Sequence, residues 1–170
     1  MKKSLLCIAL LICWTGLANA GKFDCVNLPF GKDLSEFNQE NYFIKYLEKD
    51  GISYYNYVGS CVIEQQKRIN IAIAYGFVDN KLYARYITVP NNAEAHADKD
   101  MIVRNITRKL GVKPKTYTDG DWDVVDWNMP DKQQKYKLKF NTKTTMSKSV
   151  YYYTPLRPQD SDDKVMSNGQ

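Results

Sequence analysis

Alternating apolar and polar positions predict a β-hairpin in the middle of the chain. The run from Ile69 to Val89 is broken only by Asp79-Asn80, a pair that tolerates positive φ and suits a two-residue turn. The bulkier side chains of this run share one face, which is the predicted core. Tyr83 and Arg85 are predicted to stand together over the opposite face, which is flat at Gly76.

A second hairpin is predicted where an acidic stretch meets a lysine-rich strand. The sequence TDGDWDVVDWNMPD (118–131) precedes KYKLKF (135–140), which alternates strictly between lysines and apolar residues. A seven-residue turn would place Trp127 opposite Lys135. This register predicts an inner apolar face that contains Trp122, and an outer face on which acids meet lysines and Trp127 faces solvent.

Two amphipathic segments are predicted to form helices. The first spans Asp33–Lys49, with Asp33 and Glu36 as a capping box and Gly51 as the stop. The second spans Asn92–Leu110 and ends at Gly111. Further strands, aromatic and β-branched, are predicted at 52–58 and 149–156.

The resulting element order is a helix followed by three strands, twice. It predicts an α+β fold in which two helices pack on one face of an antiparallel sheet, and it also fits a tandem αβββ duplication. The other face of the sheet is then open to solvent or to a partner. In both halves an Asp-Gly pair precedes an aromatic strand, at Asp50-Gly51 and at Asp119-Gly120.

At the level of element order, the chain resembles the β-lactamase inhibitory protein family, in which two helix-plus-sheet repeats make a concave binding sheet. It is also similar to the small helix-then-three-strand modules of outer-membrane assembly lipoproteins. Both resemblances imply that the open sheet face binds another protein, and both rest on fold analogy.

The first residues predict export. Lys2 and Lys3 precede an apolar run too short to span a bilayer, and Ala18-Asn19-Ala20 fits a signal-peptidase site. The prediction is a removable signal peptide over 1–20, a single α+β domain over 21–156 and a flexible C-terminal tail over 157–170. The mature protein is expected in the periplasm or outside the cell, without stable membrane insertion.

Cysteine usage and charge agree with such a protein. Cleavage leaves Cys25 and Cys61, which in an oxidising compartment predict one disulfide. The formal net charge of the whole chain is +5, which is too small to indicate a nucleic-acid partner.

The acidic stretch also invites comparison with a calcium loop. Asp119, Asp121 and Asp123 have the spacing of the first EF-hand ligands, but Val124 stands where glycine is required and Pro130 where the last glutamate belongs. Pairing with lysines explains the acids better, so neither a metal site nor a cofactor is predicted.

No arrangement of residues predicts catalysis. His96 is the only histidine, and no nucleophile motif accompanies it. Asp121, Asp123 and Asp126 lie close in sequence, but no feature desolvates one of them to raise its pKa for acid catalysis. We therefore predict that the protein is not an enzyme, and a secreted hydrolase ranks third among the hypotheses.

Thirteen tyrosines distinguish the composition, and because adjacent strand residues point to opposite faces, some of them must leave the core. The predicted function is an exported protein-binding module, such as an inhibitor, an immunity protein or an envelope-assembly protein, whose open aromatic face binds another protein in the envelope or extracellular space. The alternative is a small-ligand or glycan-binding module centred on Trp127 and the neighbouring Asp residues. The candidate surface residues are Tyr55, Tyr83, Arg85, Trp127 and Tyr152.

Overall fold

In the computed structural model the described residues are 24–25, 27–37, 42–58 and 71–158, and their strands form one eight-stranded antiparallel sheet. The strands are β1 (Phe43–Lys49), β2 (Ile52–Tyr57), β3 (Ala72–Val78), β4 (Lys81–Val89), β5 (Lys115–Asp119), β6 (Trp122–Met129), β7 (Gln134–Asn141) and β8 (Ser147–Tyr153). The helices are α1 (Leu34–Phe37), α2 (Ala93–Ala97) and α3 (Lys99–Leu110), and single 3-10 turns lie at Pro130–Lys132 and Thr154–Leu156.

The sheet consists of two four-stranded meanders. Its strand order is β1-β2-β3-β4-β8-β7-β6-β5, so β1–β4 and β5–β8 meet along the β4–β8 pair. Helical segments precede each meander, α1 the first, and α2 with α3 the second. The predicted antiparallel sheet is confirmed. The two predicted helices are confirmed only in part, because α1 has only four residues. The predicted element order also differs, since each helical segment is followed by four strands instead of three.

The predicted first helix is wrong over Phe43–Lys49, which form β1. Asp50 and Gly51 adopt φ values of 53° and 75°, which closes a two-residue turn with Lys49 paired to Ile52. Gly51 therefore belongs to a hairpin and does not stop a helix. The capping box is confirmed at the start of α1: Asp33 Oδ1 accepts from the Ser35 N–H (3.0 Å), and Glu36 Oε1 accepts from the Asp33 N–H (3.2 Å).

The second predicted helix is present as α2 and α3, which are separated at Asp98. Gly111 ends α3 in the left-handed conformation, with φ of 70°, and its N–H donates to Thr107 O. The predicted apolar stripe of α3 packs on the sheet, where Ile102, Val103, Ile106 and Leu110 contact the cluster of Val125, Trp127, Leu138 and Phe140.

The β3–β4 hairpin begins as predicted and then departs from the prediction. Asp79 and Asn80 both have positive φ, and Val78 pairs with Lys81. A β-bulge follows, because Tyr83 is an extra residue between the pairs Phe77–Leu82 and Gly76–Ala84. Beyond the bulge every side chain of β4 changes face. Arg85 therefore lies opposite Tyr75, and the prediction that it shares a face with Tyr83 is wrong.

The predicted register of the β6–β7 hairpin is wrong by one residue. The connection has four residues, because Pro130–Lys132 form a 3-10 turn, Gln133 adopts φ of 52°, and Met129 already pairs with Gln134. Trp127 consequently lies opposite Tyr136 instead of Lys135. A shift of one residue reverses the faces of β6 relative to β7. Tyr136, Leu138 and Phe140 keep the inner face predicted for them, while Trp127 turns inward to join them and Trp122 turns to the other side.

Two faces follow from these registers. On the helix face, Leu28, Phe43, Tyr75, Phe77 and Leu82 form a buried cluster with Leu34 and Phe37 of α1 against it, and α3 covers the cluster around Trp127. The second face carries a separate buried cluster, which no residue of α1, α2 or α3 joins within the described part of the chain: Ile52, Tyr54, Tyr83, Ala84, Val150 and Tyr152.

Several predictions lie outside the described residues. They concern the signal peptide, Cys61 as the disulfide partner of buried Cys25, and residues 159–170 of the tail. Within the described ranges, no helix has the length and apolar character needed to cross a membrane.

Candidate functional site

The five predicted surface residues do not form one patch. Tyr55, Arg85 and Trp127 belong to the helix face, whereas Tyr83 and Tyr152 belong to the second face. Trp127, Tyr83 and Tyr152 are buried, with exposed fractions of 0%, 2% and 4%. The prediction that these three are exposed is therefore wrong, and the reversal at the Tyr83 bulge together with the shifted β6–β7 register accounts for the separation.

Trp127 is a core residue. Its indole Nε1 donates to Thr107 Oγ1 of α3 at 3.0 Å, and its ring lies 5.5 Å from the ring of Tyr136. A buried indole offers no flat face to a sugar arriving from solvent, so the glycan hypothesis loses its central residue. Trp122 lies on the second face instead, with Lys148 Nζ 4.9 Å from its ring centroid.

The acids of residues 118–131 pair with lysines, as predicted, although the partners differ from those of the predicted register. Asp126 Oδ2 lies 3.0 Å from Lys135 Nζ and 3.8 Å from Lys137 Nζ. Asp119 Oδ2 lies 3.0 Å from Lys139 Nζ. The other pairs are Asp123 with Lys99 (2.6 Å) and Asp121 with Lys143 (2.9 Å). In the described ranges no three His, Cys, Asp or Glu side chains converge in a way that could hold a metal ion.

His96 has a structural environment. Its Nε2 lies 3.1 Å from Met146 O, and its ring meets the ring of Phe140 edge to face at 5.3 Å. These contacts fix α2 against the sheet.

The exposed apolar side chains are concentrated at one edge of the sheet. Of the six large apolar residues that are exposed in the described part of the chain, five lie on β1 or near the open end of the β1–β2 hairpin; we call them the edge patch: Tyr42 (41%), Ile44 (52%), Tyr46 (52%), Leu47 (39%) and Val58 (58%). The sixth, Met101 of α3, is 46% exposed. Contiguous apolar groups of this kind mark interaction sites more often than scattered ones do.

The strand register directs three residues of the edge patch, Ile44, Tyr46 and Leu47, to the second face. Ile44 pairs with Asn56, and Leu47 pairs with Tyr54, which belongs to the buried cluster of that face. A bulge at Tyr46 brings its ring to 6.3 Å from the ring of Tyr54. These three residues therefore continue the aromatic cluster of the second face outward to the edge of the sheet, whereas the ring of Tyr42 meets that of Tyr57, on the helix face, at 5.9 Å.

The two edges of the sheet differ in character. The exposed residues of β5, at the far edge, are all polar: Lys115, Thr116, Thr118 and Asp119. The β1 edge alternates apolar side chains with the ion pair of Lys45 and Glu48. Charges of that kind protect an edge from unspecific pairing, yet they leave the apolar side chains accessible. This site was not predicted from the sequence, because the residues of β1 were assigned to a helix. Asp50-Gly51, a pair that suits a two-residue hairpin turn, is the signal that indicates β1.

Arg85 occupies the middle of the helix face. Its guanidinium carbon lies 5.5 Å from the centroid of the Tyr151 ring, and Tyr75 pairs with it from β3. Burial lowers the pKa of the Arg85 guanidinium, an effect that nearby Tyr75 and Tyr151 oppose. The side chain is half-buried, so it does not contribute to an exposed aromatic patch.

The chain matches no protein family, no curated protein and no solved structure.

Proposed function

We propose that this chain is an exported, non-enzymatic protein that binds a partner protein through the edge patch. The observation that carries the proposal is the concentration of exposed apolar side chains on β1, at the rim of the second face. The proposal retains the idea that the open sheet face binds another protein. The proposed contact residues are now Ile44, Tyr46 and Leu47, in place of the buried Tyr83 and Tyr152.

The edge position favours binding by strand addition. Within the described residues β1 pairs only with β2, so its other side can present backbone N–H and C=O groups to an extended segment. The backbone groups would supply affinity. Ile44, Tyr46 and Leu47 would supply specificity by packing against apolar side chains that the segment directs to the same face.

Site-specific crosslinking tests where the partner binds. A photoreactive phenylalanine replaces Tyr46 in the full chain, expressed in its native host, and a matched variant carries the same group at Met101. We expect a discrete crosslinked protein at position 46 and none at 101, because both sites are exposed but only the first belongs to the edge patch. Equal crosslinking at both positions would refute the proposed surface.

A charge substitution tests whether the apolar contact contributes to binding. Ile44→Lys should weaken capture of the crosslinked partner by about tenfold or more, since a desolvated anchor typically contributes about 2 kcal/mol or more. Met101→Lys is the matched control and should leave capture unchanged. Retained binding by Ile44→Lys, with its thermal midpoint unchanged, would argue against the edge patch.

Export is part of the proposal and needs its own measurement. The features that support it are the Lys2-Lys3 start, the apolar run and Ala18-Asn19-Ala20. Cell fractionation followed by mass spectrometry of the mature N-terminus should find Gly21 as the first residue. An uncleaved chain in the cytoplasm would contradict this part.

We also infer a tandem duplication of a unit with one helical segment and four strands. The support is the mirrored strand order, together with equivalent turns: Asp50-Gly51 joins the first two strands of one meander, and Gly120-Asp121 joins the first two strands of the other. The two turns stand at corresponding places, but the Asp-Gly pairs noted in the sequence are offset by one residue, because Asp50 lies in its turn whereas Asp119 is the last residue of β5.

A further inference from the structure

The second predicted helix leaves part of the sheet uncovered. The apolar stripe of α3 contacts the cluster around Trp127 on β6 and β7, yet none of the twelve residues of α3 is fully buried, and the structure describes all twelve. Ile87 and Val89, which lie on β4 on the helix face, are half-buried as well. A cleft therefore remains between the helices and the strands β4 and β8, at the junction of the two meanders.

The cleft holds a cavity of 170 Å³ that is partly open to solvent. Its apolar walls come from both layers of the fold. Ile102 and Ile106 of α3 lie on one side, Ile87 of β4 and Leu138 of β7 lie on the other, and Ala95 of α2 lines the cavity as well. Engineered apolar cavities of about 150 Å³ bind benzene. This cavity therefore has room for a molecule of about one ring.

Polar side chains line the cavity on the side of β8. Asn92 Nδ2 donates to the hydroxyl of Ser147 at 2.7 Å, and Ser147 is buried. Because a hydroxyl that accepts one hydrogen bond still carries its own O–H donor, Ser147 can donate to an oxygen in the cavity. Ser149 and the Tyr136 hydroxyl lie within reach of one another on the same side. The described residues that line the cavity include no charged side chain, so a charged ligand would lose its hydration without gaining a partner.

We propose that this cavity binds a small neutral molecule that consists of one apolar ring and one hydroxyl group, as in phenol. The isoleucines would enclose the ring, and Ser147 or Ser149 would form a hydrogen bond with the hydroxyl. Three observations restrict the ligand to this class. The volume admits about one ring, the lack of charge among the described lining residues disfavours acids and amines, and the serines favour a hydroxyl over a plain hydrocarbon.

Titration calorimetry on the mature chain tests the ligand class with three probes that differ only in the group on the ring: phenol, toluene and benzoate. We expect phenol and toluene to bind saturably at a single site, and phenol to displace toluene, since both would occupy the same cavity. Benzoate should bind more than about tenfold more weakly than phenol, because its carboxylate would be desolvated without a partner.

Filling the cavity tests where the probes bind. Ala95→Leu places a larger side chain in the cavity and should abolish binding of both phenol and toluene. The variant should still fold, because the cavity has room for the added atoms, and circular dichroism checks this. Ala97→Leu is the matched control. Ala97 lies on the same helix but is exposed, so this variant should bind both probes like the original chain.

Replacing both serines of β8 tests the contact with the hydroxyl. A variant that combines Ser147→Ala with Ser149→Ala should bind phenol about three- to tenfold more weakly, which corresponds to the loss of one hydrogen bond, and should bind toluene as before. If the ratio of phenol to toluene affinity stays that of the original chain, the hydroxyl is not recognised and the assignment fails. This comparison decides the matter even if Ala95→Leu does not fold.

Three further outcomes would overturn the assignment: no saturable binding of phenol, unchanged phenol affinity in a folded Ala95→Leu variant, or benzoate binding as tight as that of phenol. Ile44→Lys separates this inference from the proposed function. Its binding of phenol should be unchanged, because Ile44 lies on the second face and the cavity on the helix face.

Discussion

Gly76 and Tyr83 show how one residue of β4 reorganises the second face. A Cβ at Gly76 would lie 2.6 Å from Cε1 of the Tyr83 ring and 3.3 Å from Cγ2 of Ile52. Tyr83 and Ile52 are both buried, so neither has room to move away. The absent side chain at Gly76 therefore makes the space into which the bulge directs Tyr83.

We expect Gly76→Ala to destabilise the protein by about 1–3 kcal/mol, the usual cost of overpacking a core. The measurement is equilibrium urea unfolding. In a Tyr83→Ala background the same substitution should cost far less, because the ring that it strikes is gone. If Gly76→Ala costs the same in both backgrounds, the ring contact is not the cause.

Two buried tyrosines give a matched pair of predictions. The Tyr75 hydroxyl donates to Cys25 O at 2.6 Å, whereas the Tyr54 hydroxyl is buried with at most a weak contact to Tyr86. Tyr75→Phe should therefore cost about 0.5–1.5 kcal/mol, the net contribution of one hydrogen bond. Tyr54→Phe should be neutral or stabilising, since it removes an unsatisfied polar group. Urea unfolding at neutral pH compares the two, and an equal loss in both would contradict the assignment.

The same tyrosines predict alkaline sensitivity. Burial raises the pKa of Tyr54 and of Tyr75 above the ordinary value. The folded protein therefore holds these protons more tightly than the unfolded chain, so their contribution to stability is full below about pH 10 and falls as the pH rises further. Stability measured from pH 9 to 12 should decline, and the decline should be smaller in Tyr54→Phe. A pH-independent stability over this range would contradict the expectation.

At the scale of the elements, the parts predicted correctly were those with strong local signals. Asp79-Asn80 forms the predicted two-residue turn, and Gly111 ends α3 as predicted. The apolar stripe of α3 packs against the sheet, as its spacing indicated. The wrong predictions concern which face of the sheet a side chain occupies. That face depends on whether a turn or bulge contains one residue more or fewer, which only a few residues determine. A four-residue turn after Met129 reversed the faces of β6 relative to β7, and the bulge at Tyr83 reversed the faces of β4 beyond it.

Edge strands escaped prediction for a different reason. β5 is polar on nearly every position, so no alternation marks it, and β1 combines helix-compatible residues with apolar spacing that also fits a strand. Pairing with β2 makes this segment a strand instead of a helix. The edge patch was not predicted, because the residues of β1 were assigned to a helix. Arg85 was predicted on the same face as Tyr83, but it lies on the helix face.

The charge pairs in and beside the β6–β7 hairpin differ greatly in burial, which makes a comparison possible. The Asp126 side chain is 10% exposed and lies between Lys135 and fully buried Lys137, whereas Asp121 is 50% exposed and pairs with Lys143 at 72%. Removing one charge of a buried group costs about 3–5 kcal/mol, but an exposed pair contributes only about 0–1 kcal/mol.

Asp126→Asn should therefore lower the free energy of unfolding by about 3 kcal/mol, while Asp121→Asn should change it by less than about 1 kcal/mol. Urea denaturation in low salt measures both, and repetition in 0.5 M salt should reduce only the Asp121 effect, because buried pairs are poorly screened. Similar losses in the two variants would show that Asp126 does not hold the hairpin electrostatically.

At the scale of the whole molecule, the two meanders share one sheet and one buried cluster. The cluster of the second face combines Ile52 and Tyr83 of the first meander with Val150 and Tyr152 of the second. The β4–β8 ladder joins them through backbone pairs from Ala84–Tyr152 to Val89–Ser147. A duplicated architecture could unfold in two steps, but a shared core of this kind couples the halves.

We therefore expect a single unfolding transition. Both described tryptophans, Trp122 and Trp127, lie on β6, so tryptophan fluorescence reports on the second meander while far-UV circular dichroism reports on the whole sheet. The two signals should coincide in urea.

Val150→Ala, at a fully buried position beside the junction, should lower both midpoints together, at a cost of about 1–3 kcal/mol. Val58→Ala is the matched control, because Val58 is 58% exposed, and it should shift neither midpoint. A fluorescence transition that separates from the dichroism transition, or a Val150→Ala variant that moves only one of them, would mean that the meanders are independent units and that the shared cluster does not bind them into one cooperative fold.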